Sequence, residues 1–138
     1  MKIQMKWVDG LQFYSQAETG HGLPLASRLD SNEPLHGIRP VELILHALAG
    51  CSGMDIISIL QKMKQPIVKY WIDVDADRAD QHPKVFTKIR LVYHFTGKGI
   101  DPAAVEKAMH LSHTKYCSVS AMLSKACEIE SSYQIHEE

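Results

Sequence analysis

The sequence predicts an α+β fold in which antiparallel sheets pack around one long central helix. Two groups of segments with two-residue hydrophobic alternation flank a strongly apolar stretch from Pro40 to about Met63. The elements follow the order β-β-β-α-β-β-α-α-β, and helices layered on hairpin-connected strands are typical of the α+β class. Because the 138 residues contain no linker or repeat, we expect a single domain over residues 1–138.

The N-terminal region favours a small antiparallel sheet. Lys and Gln alternate with apolar side chains from Lys2 to Val8, which indicates one wet and one dry strand face. Asp9-Gly10 is a hairpin signal because both turn positions need positive φ. Pro24 suggests an edge strand, since proline cannot donate to a ladder. Three strands are expected at 2–9, 11–17 and 23–29, followed by a loop over 30–38.

The central apolar segment predicts a buried helix. Pro40 suits its first turn, and Pro66 prevents its continuation. Apolar side chains in its first half point in nearly every direction, so the helix needs cover on most sides. Its longest uncharged run, 43–54, is shorter than the roughly 18–20 residues of a bilayer span, so we expect no membrane contact. One sheet and two short helices give too little cover, which predicts a homodimer with both central helices buried together.

The C-terminal half is predicted to form an antiparallel strand pair, two helices and a last strand. Asp101 can cap the first of these helices and Pro102 can occupy its first position. The short second helix follows Cys117. The expected bounds are 67–76 and 85–95 for the paired strands, 101–113 for the first helix and 129–135 for the last strand.

Charge excludes some classes of partner. The chain has 15 basic and 16 acidic side chains and a formal net charge of −1, which gives little attraction for nucleic acid or an anionic membrane. The first residues lack the order of a signal peptide, so we expect a cytoplasmic protein. Three cysteines are too few for a disulfide scaffold or for paired zinc knuckles.

Two of the cysteines are candidates for thiol chemistry. Cys51 is flanked by Gly50 and Gly53, which weaken a helix and suggest close backbone approach. Cys117 precedes the short helix, whose free N–H groups, with Lys115, would favour a thiolate. Peroxide oxidises a thiolate to a sulfenic acid that a second thiol can capture. Small buried hydrophobic residues are the alternative interpretation, and composition and spacing alone do not decide between the two.

The remaining cysteine and the histidines are expected to be structural or solvated. Cys127 lies on an apolar helix face, and His46 is expected to be a buried, hydrogen-bonded imidazole. His110 and His113 share a helix face, but no further ligand pair has a zinc spacing. We therefore expect no metal site and no other cofactor.

Two strings carry a family resemblance. They are Arg-Pro-Val-Glu-Leu-Ile-Leu-His-Ala-Leu-Ala-Gly-Cys-Ser (39–52), continued by Met-Asp-Ile-Ile-Ser-Ile-Leu-Gln-Lys (54–62), and Leu-Ser-His-Thr-Lys-Tyr-Cys-Ser-Val (111–119). Here the chain resembles the OsmC/Ohr superfamily of bacterial thiol-dependent peroxidases. The opening Lys-Trp-Val-Asp-Gly-Leu and the closing Ser-Tyr strand look most like its YhfA-like branch. The resemblance implies an intertwined α+β homodimer whose two central helices lie between sheets.

The resemblance also implies roles for the cysteines. Cys51 matches the peroxide-attacking cysteine of the family, and Cys117 matches its resolving cysteine. In the characterised peroxidase branches a glutamate and an arginine assist the attacking thiolate. The glutamate position is Val41 here, and the neighbouring Glu42 is turned by about 100° along a helix. The arginine position is His21, which cannot make the bidentate contacts of arginine.

Other charged residues can substitute for the missing pair. Arg28 and Arg39 are the alternatives to His21, while Glu42 is the carboxylate nearest the family position in the sequence. The implied activity is reduction of organic hydroperoxides in oxidative-stress defence, with an external dithiol restoring the cysteines. The alternative is a dimeric redox-sensing or ligand-binding protein without peroxide turnover, which the missing arginine and glutamate favour.

Overall fold

The computed structural model describes residues 1–28 and 30–136, and its elements follow the predicted order. Leu29, the end of the expected third strand, and residues 137–138 lie outside this description. The chain divides into two compact units, Met1–His46 and Ala47–Glu138. The strands are β1 (Ile3–Asp9), β2 (Gln12–Ala17), β3 (Gly22–Ala26), β4 (Lys69–Arg78), β5 (Phe86–Thr96) and β6 (Glu128–His136), and the helices are α1 (Pro40–Lys62), α2 (Pro102–Leu111) and α3 (Ser118–Leu123).

The first unit contains the predicted N-terminal sheet. Its strand order is β1-β2-β3 with antiparallel pairing throughout. Gly10 has φ +47° in the turn between β1 and β2, as the Asp-Gly signal requires. Pro24 lies on the edge strand β3. All of β1 is exposed, and Leu25 and Ala26 are the buried hydrophobic residues of this sheet.

The second unit contains a mixed sheet with the order β4-β5-β6. The β4–β5 pair is antiparallel as expected, but β6 runs parallel to β5, so the expectation of purely antiparallel sheets is wrong here. The helices between β5 and β6 form a crossover connection, which returns the chain in the same direction. The α+β class itself is confirmed. The core of this unit includes four fully buried side chains of β5, Ile89, Leu91, Tyr93 and Phe95.

Helix α1 has the predicted bounds, and a single chain buries only part of its surface. One stripe with a four-residue spacing is fully buried, consisting of Leu48, Ser52, Ile56 and Leu60. Met54 is 73% exposed, and His46 is exposed rather than buried, which contradicts the expectation for this histidine. Within one chain, therefore, α1 is fully buried along one stripe, and its other apolar side chains are half-buried or exposed.

By length and composition α1 is also able to cross a membrane. It has 23 residues, it is strongly apolar with few charged side chains, and less than a third of its most apolar part is buried. The length of the uncharged run therefore does not exclude a span. Core helices of soluble proteins meet the same test, and the expected absence of membrane contact stays a prediction.

The crossover begins with the predicted capped helix. The Asp101 carboxylate accepts from the Ala103 N–H at 3.0 Å, and Pro102 occupies the first turn. Instead of continuing as one α-helix to residue 113, the chain widens into a π-helical turn over Ser112–Tyr116. Such single π turns are frequent at functional sites. This turn ends at Cys117, directly before α3.

Candidate functional site

Helix α1 supplies Cys51 and Asp55 to one part of the second unit. These residues are four apart, so their side chains lie on the same helix face, and both are half-buried. Between them, a Cβ added at Gly53 would lie 2.6 Å from Cδ1 of Ile72 on β4. Gly53 therefore permits the close approach inferred from the sequence, whereas a Cβ at Gly50 would meet no described atom within 4 Å.

Cys117 lies at the junction between the π-helical turn and α3. Its side chain is buried, with 3% exposure, and its Sγ accepts from the Ser120 backbone N–H at 3.3 Å. Burial and the neighbouring Cys51 raise the pKa of Cys117 to about 11, outweighing the opposing effect of this hydrogen bond. The expectation of a thiolate at Cys117 is therefore wrong. Lys115 instead lies over the Tyr116 ring, with Nζ 5.3 Å from its centroid.

The fold brings the two candidate cysteines together with Asp55. The two sulfur atoms and one carboxylate oxygen of Asp55 all lie within 4.8 Å of one another. Both cysteines are free thiols. The cysteines are distant in sequence, so only the packing of α1 against the crossover makes them neighbours. We call these three residues the thiol–carboxylate cluster.

A hydrogen-bond network holds the surroundings of the cluster. The Tyr93 hydroxyl on β5 donates to Ser52 Oγ at 2.7 Å and hydrogen-bonds His113 Nε2 at 3.3 Å. The other ring nitrogen, His113 Nδ1, lies 3.2 Å from Ser120 Oγ. Since the backbone N–H of Ser120 contacts the Cys117 sulfur, the network connects α1, β5 and α3 and fixes the position of Cys117.

This network carries no net charge at neutral pH. Burial lowers the pKa of His113, although the Asp55 carboxylate acts in the opposite direction. Burial raises the pKa of Tyr93 to about 12, against the effect of its hydrogen bond to Ser52. A neutral imidazole and a neutral phenol therefore flank the cysteine pair, and neither supplies the positive charge that stabilises a thiolate.

Among the described residues, the Asp55 carboxylate accepts a hydrogen bond from Ser112, and it also faces a cleft. The Ser112 hydroxyl donates to Asp55 Oδ2 at 3.1 Å, and no ion pair with Asp55 occurs among residues 47–136. Asp55 also lines a cleft of about 420 Å³, together with Ile59, Lys62, Lys107, Leu111 and Tyr116. This cleft gives small molecules a route to the carboxylate.

The expected substitutes for the family arginine and glutamate have local partners. Glu42 accepts from the Arg39 backbone N–H and from Arg39 Nε, both at 3.0 Å. The Arg39 guanidinium lowers the pKa of the Glu42 carboxyl, and this pair caps the start of α1. His21 Nδ1 lies 3.2 Å from Thr19 Oγ1, and Arg28 donates to a loop carbonyl, that of Glu33, at 3.2 Å. All of these residues belong to the first unit.

The residues missed by sequence reasoning are polar groups around the cysteines. Asp55 had a usable signal, because it follows Cys51 by one helical turn. His113 was identified only as a neighbour of His110, which is exposed. The network residues Ser52, Tyr93, Ser112 and Ser120 had no signal, since their contacts join distant parts of the chain. Cys127 is half-buried and donates to the Leu123 carbonyl at 3.6 Å, in keeping with a structural role.

Comparisons with known proteins agree on the family. The profile of the family described as OsmC-like protein matches residues 31–132. Protein YhfA of Escherichia coli strain K12 is 38% identical over 135 residues, which is 98% of each chain. A hypothetical protein from Aquifex aeolicus VF5 has a solved structure with a TM-score of 0.87 and 28% identity, covering 99% of this chain and 96% of its own. For an OsmC-like protein from Mycoplasma pneumoniae, the TM-score is 0.78 and the identity 12%, with 99% and 95% coverage.

Proposed function

Since this chain belongs to the redox-related OsmC/Ohr family, we propose that it reduces organic hydroperoxides with Cys51 and Cys117. The observation that carries the proposal is the proximity of the two free thiols, whose sulfur atoms lie within 4.8 Å of each other. Residues far apart in sequence are placed together on rigid elements, as a reversible dithiol–disulfide pair requires.

The reaction is expected in three steps. The Cys51 thiolate attacks the outer peroxide oxygen, so that an S–O bond forms, the O–O bond breaks and the alkoxide leaves as the alcohol after taking a proton from solvent. The Cys117 sulfur then attacks the Cys51 sulfenic acid, which forms the disulfide and releases water. An external dithiol reduces the disulfide by exchange and is itself oxidised.

The different environments of the two thiols support this division of roles. Cys51 is half-buried and Cys117 is buried, so a peroxide has easier access to Cys51. The raised pKa of Cys117 leaves little thiolate at neutral pH, which disfavours it as the first nucleophile. As the resolving residue it needs only to reach the sulfenic acid, and the hydrogen-bond network holds it beside Cys51.

We further propose that the active form is a cytoplasmic homodimer. The apolar surface of α1 that one chain leaves open includes Ile44 and Met54, and a second copy would cover it. The family resemblance implies the same intertwined arrangement. A second chain would also offer another set of the cations considered above, His21, Arg28 and Arg39, for activating Cys51.

Peroxide turnover tests the proposal directly. Metal-free reduced protein, cumene hydroperoxide and dithiothreitol are mixed, and peroxide loss is followed. We expect multiple turnovers in the wild type, loss of turnover in Cys51→Ser and slowed recycling in Cys117→Ser. Cys127→Ser is the matched control, because it removes a thiol outside the cluster. Wild-type peroxide loss no faster than that of Cys51→Ser would reject the proposal.

A second candidate function is redox sensing or ligand binding without turnover. Its specific support is that Val41 occupies the family glutamate position, while a carboxylate, Asp55, lies beside the sulfurs. A carboxylate does not replace the positive charge that stabilises a thiolate. Reversible formation of a Cys51–Cys117 disulfide without repeated peroxide consumption would favour this function over the first.

A further inference from the structure

We infer that the reduced thiol–carboxylate cluster, Cys51, Asp55 and Cys117, is a binding site for a thiophilic divalent cation of the zinc type. Its three ligand atoms lie within 4.8 Å of one another. Zinc bonds of about 2.3 Å to sulfur and about 2.1 Å to oxygen at tetrahedral angles separate ligand atoms by about 3.5–3.8 Å. Small side-chain rotations would close the remaining gap.

The chemistry of the donors selects the type of cation. Two thiols and one carboxylate combine soft sulfur donors with a hard oxygen donor, a set that zinc accepts, whereas magnesium and calcium prefer oxygen ligands alone. Binding replaces the two thiol protons, which pass to solvent, by the metal. Three protein ligands leave a fourth tetrahedral position for water or a small molecule.

Hydrogen bonds already hold two of the three proposed ligands in place. The Ser112 hydroxyl donates to Asp55 Oδ2 at 3.1 Å, which orients the carboxylate. The Ser120 backbone N–H contacts the Cys117 sulfur at 3.3 Å and would stabilise it as a bound thiolate. Hydrogen bonds of this kind fix metal ligands in place.

Charge and access also favour a cation. Asp55 has no ion-pair partner in the described part of the second unit, so no side-chain cation competes for the carboxylate. The cleft of about 420 Å³ that Asp55 lines gives an ion an entry path. A cation can therefore reach the unpaired carboxylate of Asp55 through this cleft, although Lys62 and Lys107 also line it.

Metal binding and disulfide formation exclude each other, because both use the same sulfur atoms. A bound cation would protect the thiols from peroxide, and conversion of the pair to a disulfide would release the cation. This inference goes beyond the peroxidase proposal and does not depend on it. Turnover can be measured in the presence of a chelator, and metal binding in the absence of peroxide, so either can fail alone.

The test is a titration of full-length, reduced, metal-free protein with Zn²⁺ against a chromophoric chelator. We expect one Zn²⁺ per chain, with no tight binding by Cys51→Ser or Cys117→Ser. Loss of a residue that hydrogen-bonds a metal ligand already costs about 10–100-fold in affinity, so Asp55→Asn, which alters a ligand itself, should weaken binding by at least ~100-fold. Cys127→Ser should bind like the wild type.

Two further measurements use the wild-type protein, so their results do not depend on whether a substituted variant folds. Wild-type protein oxidised to the Cys51–Cys117 disulfide needs no substitution and should lose binding, then regain it on reduction. Co²⁺ in place of zinc should give the intense visible and sulfur charge-transfer bands of a tetrahedral thiolate site. Wild-type binding no tighter than that of a Cys51→Ser/Cys117→Ser double variant, or equal binding by wild type and Asp55→Asn, would overturn the inference.

Discussion

The two three-stranded sheets differ in how much of their apolar surface one chain covers. On β1 every residue is exposed, and Trp7 is 66% exposed. On β5 the side chains of Tyr93 and Phe95 are fully buried. Both strands are rich in apolar residues, so the difference lies in the cover each receives. The β4–β6 sheet and its helices form a core within one chain, whereas the β1–β3 sheet has the surface expected of a part completed by a second chain.

The largest expected difference between the two sheets is in the stability lost when a buried or an exposed phenylalanine is truncated. Phe95→Ala removes a fully buried ring that stacks on Tyr70 at 4.9 Å between centroids, and such truncations cost about 3–5 kcal/mol. The matched variant Phe13→Ala alters a ring on β2 that is 38% exposed. Chemical denaturation at two protein concentrations measures both.

The two phenylalanine variants also test the cover of the first sheet. If a second chain covers it, the loss of stability caused by Phe13→Ala should be largest where the wild type is dimeric and should shrink as the protein is diluted, because a dissociated chain already leaves this ring partly exposed. If both variants lost the same free energy of unfolding, and this loss did not depend on protein concentration, the two sheets would not differ in the way proposed.

A charge introduced on the exposed apolar side of α1 should strongly weaken the proposed dimer. Met54→Glu places a carboxylate on the apolar side that we propose faces a second copy, and a buried unpaired charge costs several kcal/mol. We expect the dimer dissociation constant to rise by about 100-fold or more, as measured by sedimentation. Val85→Glu, at an exposed position in the loop before β5, is the control. A wild-type monomer at micromolar concentration would contradict the prediction.

Removing a buried hydroxyl from the second unit is expected to lower its stability by a smaller amount. Tyr93→Phe removes the hydroxyl that contacts Ser52 and His113, leaving buried partners unsatisfied at a cost of about 1–3 kcal/mol. Tyr133→Phe removes an exposed hydroxyl bonded to Glu106 at 2.8 Å and should cost less. Thermal unfolding compares them, and an equal cost would mean that the network around Cys117 contributes no special stability.

Alkylation of Cys117, which measures its thiolate fraction and not the stability of either sheet, is expected to depend on pH. Its pKa is raised to about 11 by burial and by Cys51. Below that pKa the thiolate fraction increases tenfold per pH unit, so alkylation of Cys117 should keep rising from about pH 7 to pH 10. Peptide mass spectrometry after brief iodoacetamide treatment measures the rate. A plateau near pH 8 would indicate an ordinary or activated thiol instead.

The sequence predicted most elements because their signals are local. Hydrophobic alternation, the Asp9-Gly10 turn and the Pro40 and Asp101 helix starts act over a few residues, and the observed bounds differ by one or two positions in most elements. The parallel pairing of β6 could not be predicted in this way, since it depends on where the crossover returns the chain. The π-helical turn lacked a signal for a similar reason, because one extra residue in a helical turn leaves hydrophobic periodicity nearly unchanged.

The candidate site was only partly predictable. The cysteine strings identified Cys51 and Cys117 through family resemblance, while their proximity depends on the whole second unit. The error at Cys117 has a physical cause: the local N–H donors were visible in the sequence, whereas the burial that outweighs them was not. Asp55 could have been found by asking which side chain follows Cys51 by one helical turn.

The most direct test of the redox pair is disulfide mapping after exposure to peroxide. Reduced protein receives one equivalent of cumene hydroperoxide, is alkylated, and is digested for mass spectrometry. We predict a cross-linked peptide joining Cys51 to Cys117, its absence from the Cys51→Ser variant, and free Cys127 throughout. Free Cys51 and Cys117 after complete consumption of the peroxide, or a disulfide that uses Cys127 instead, would contradict the account.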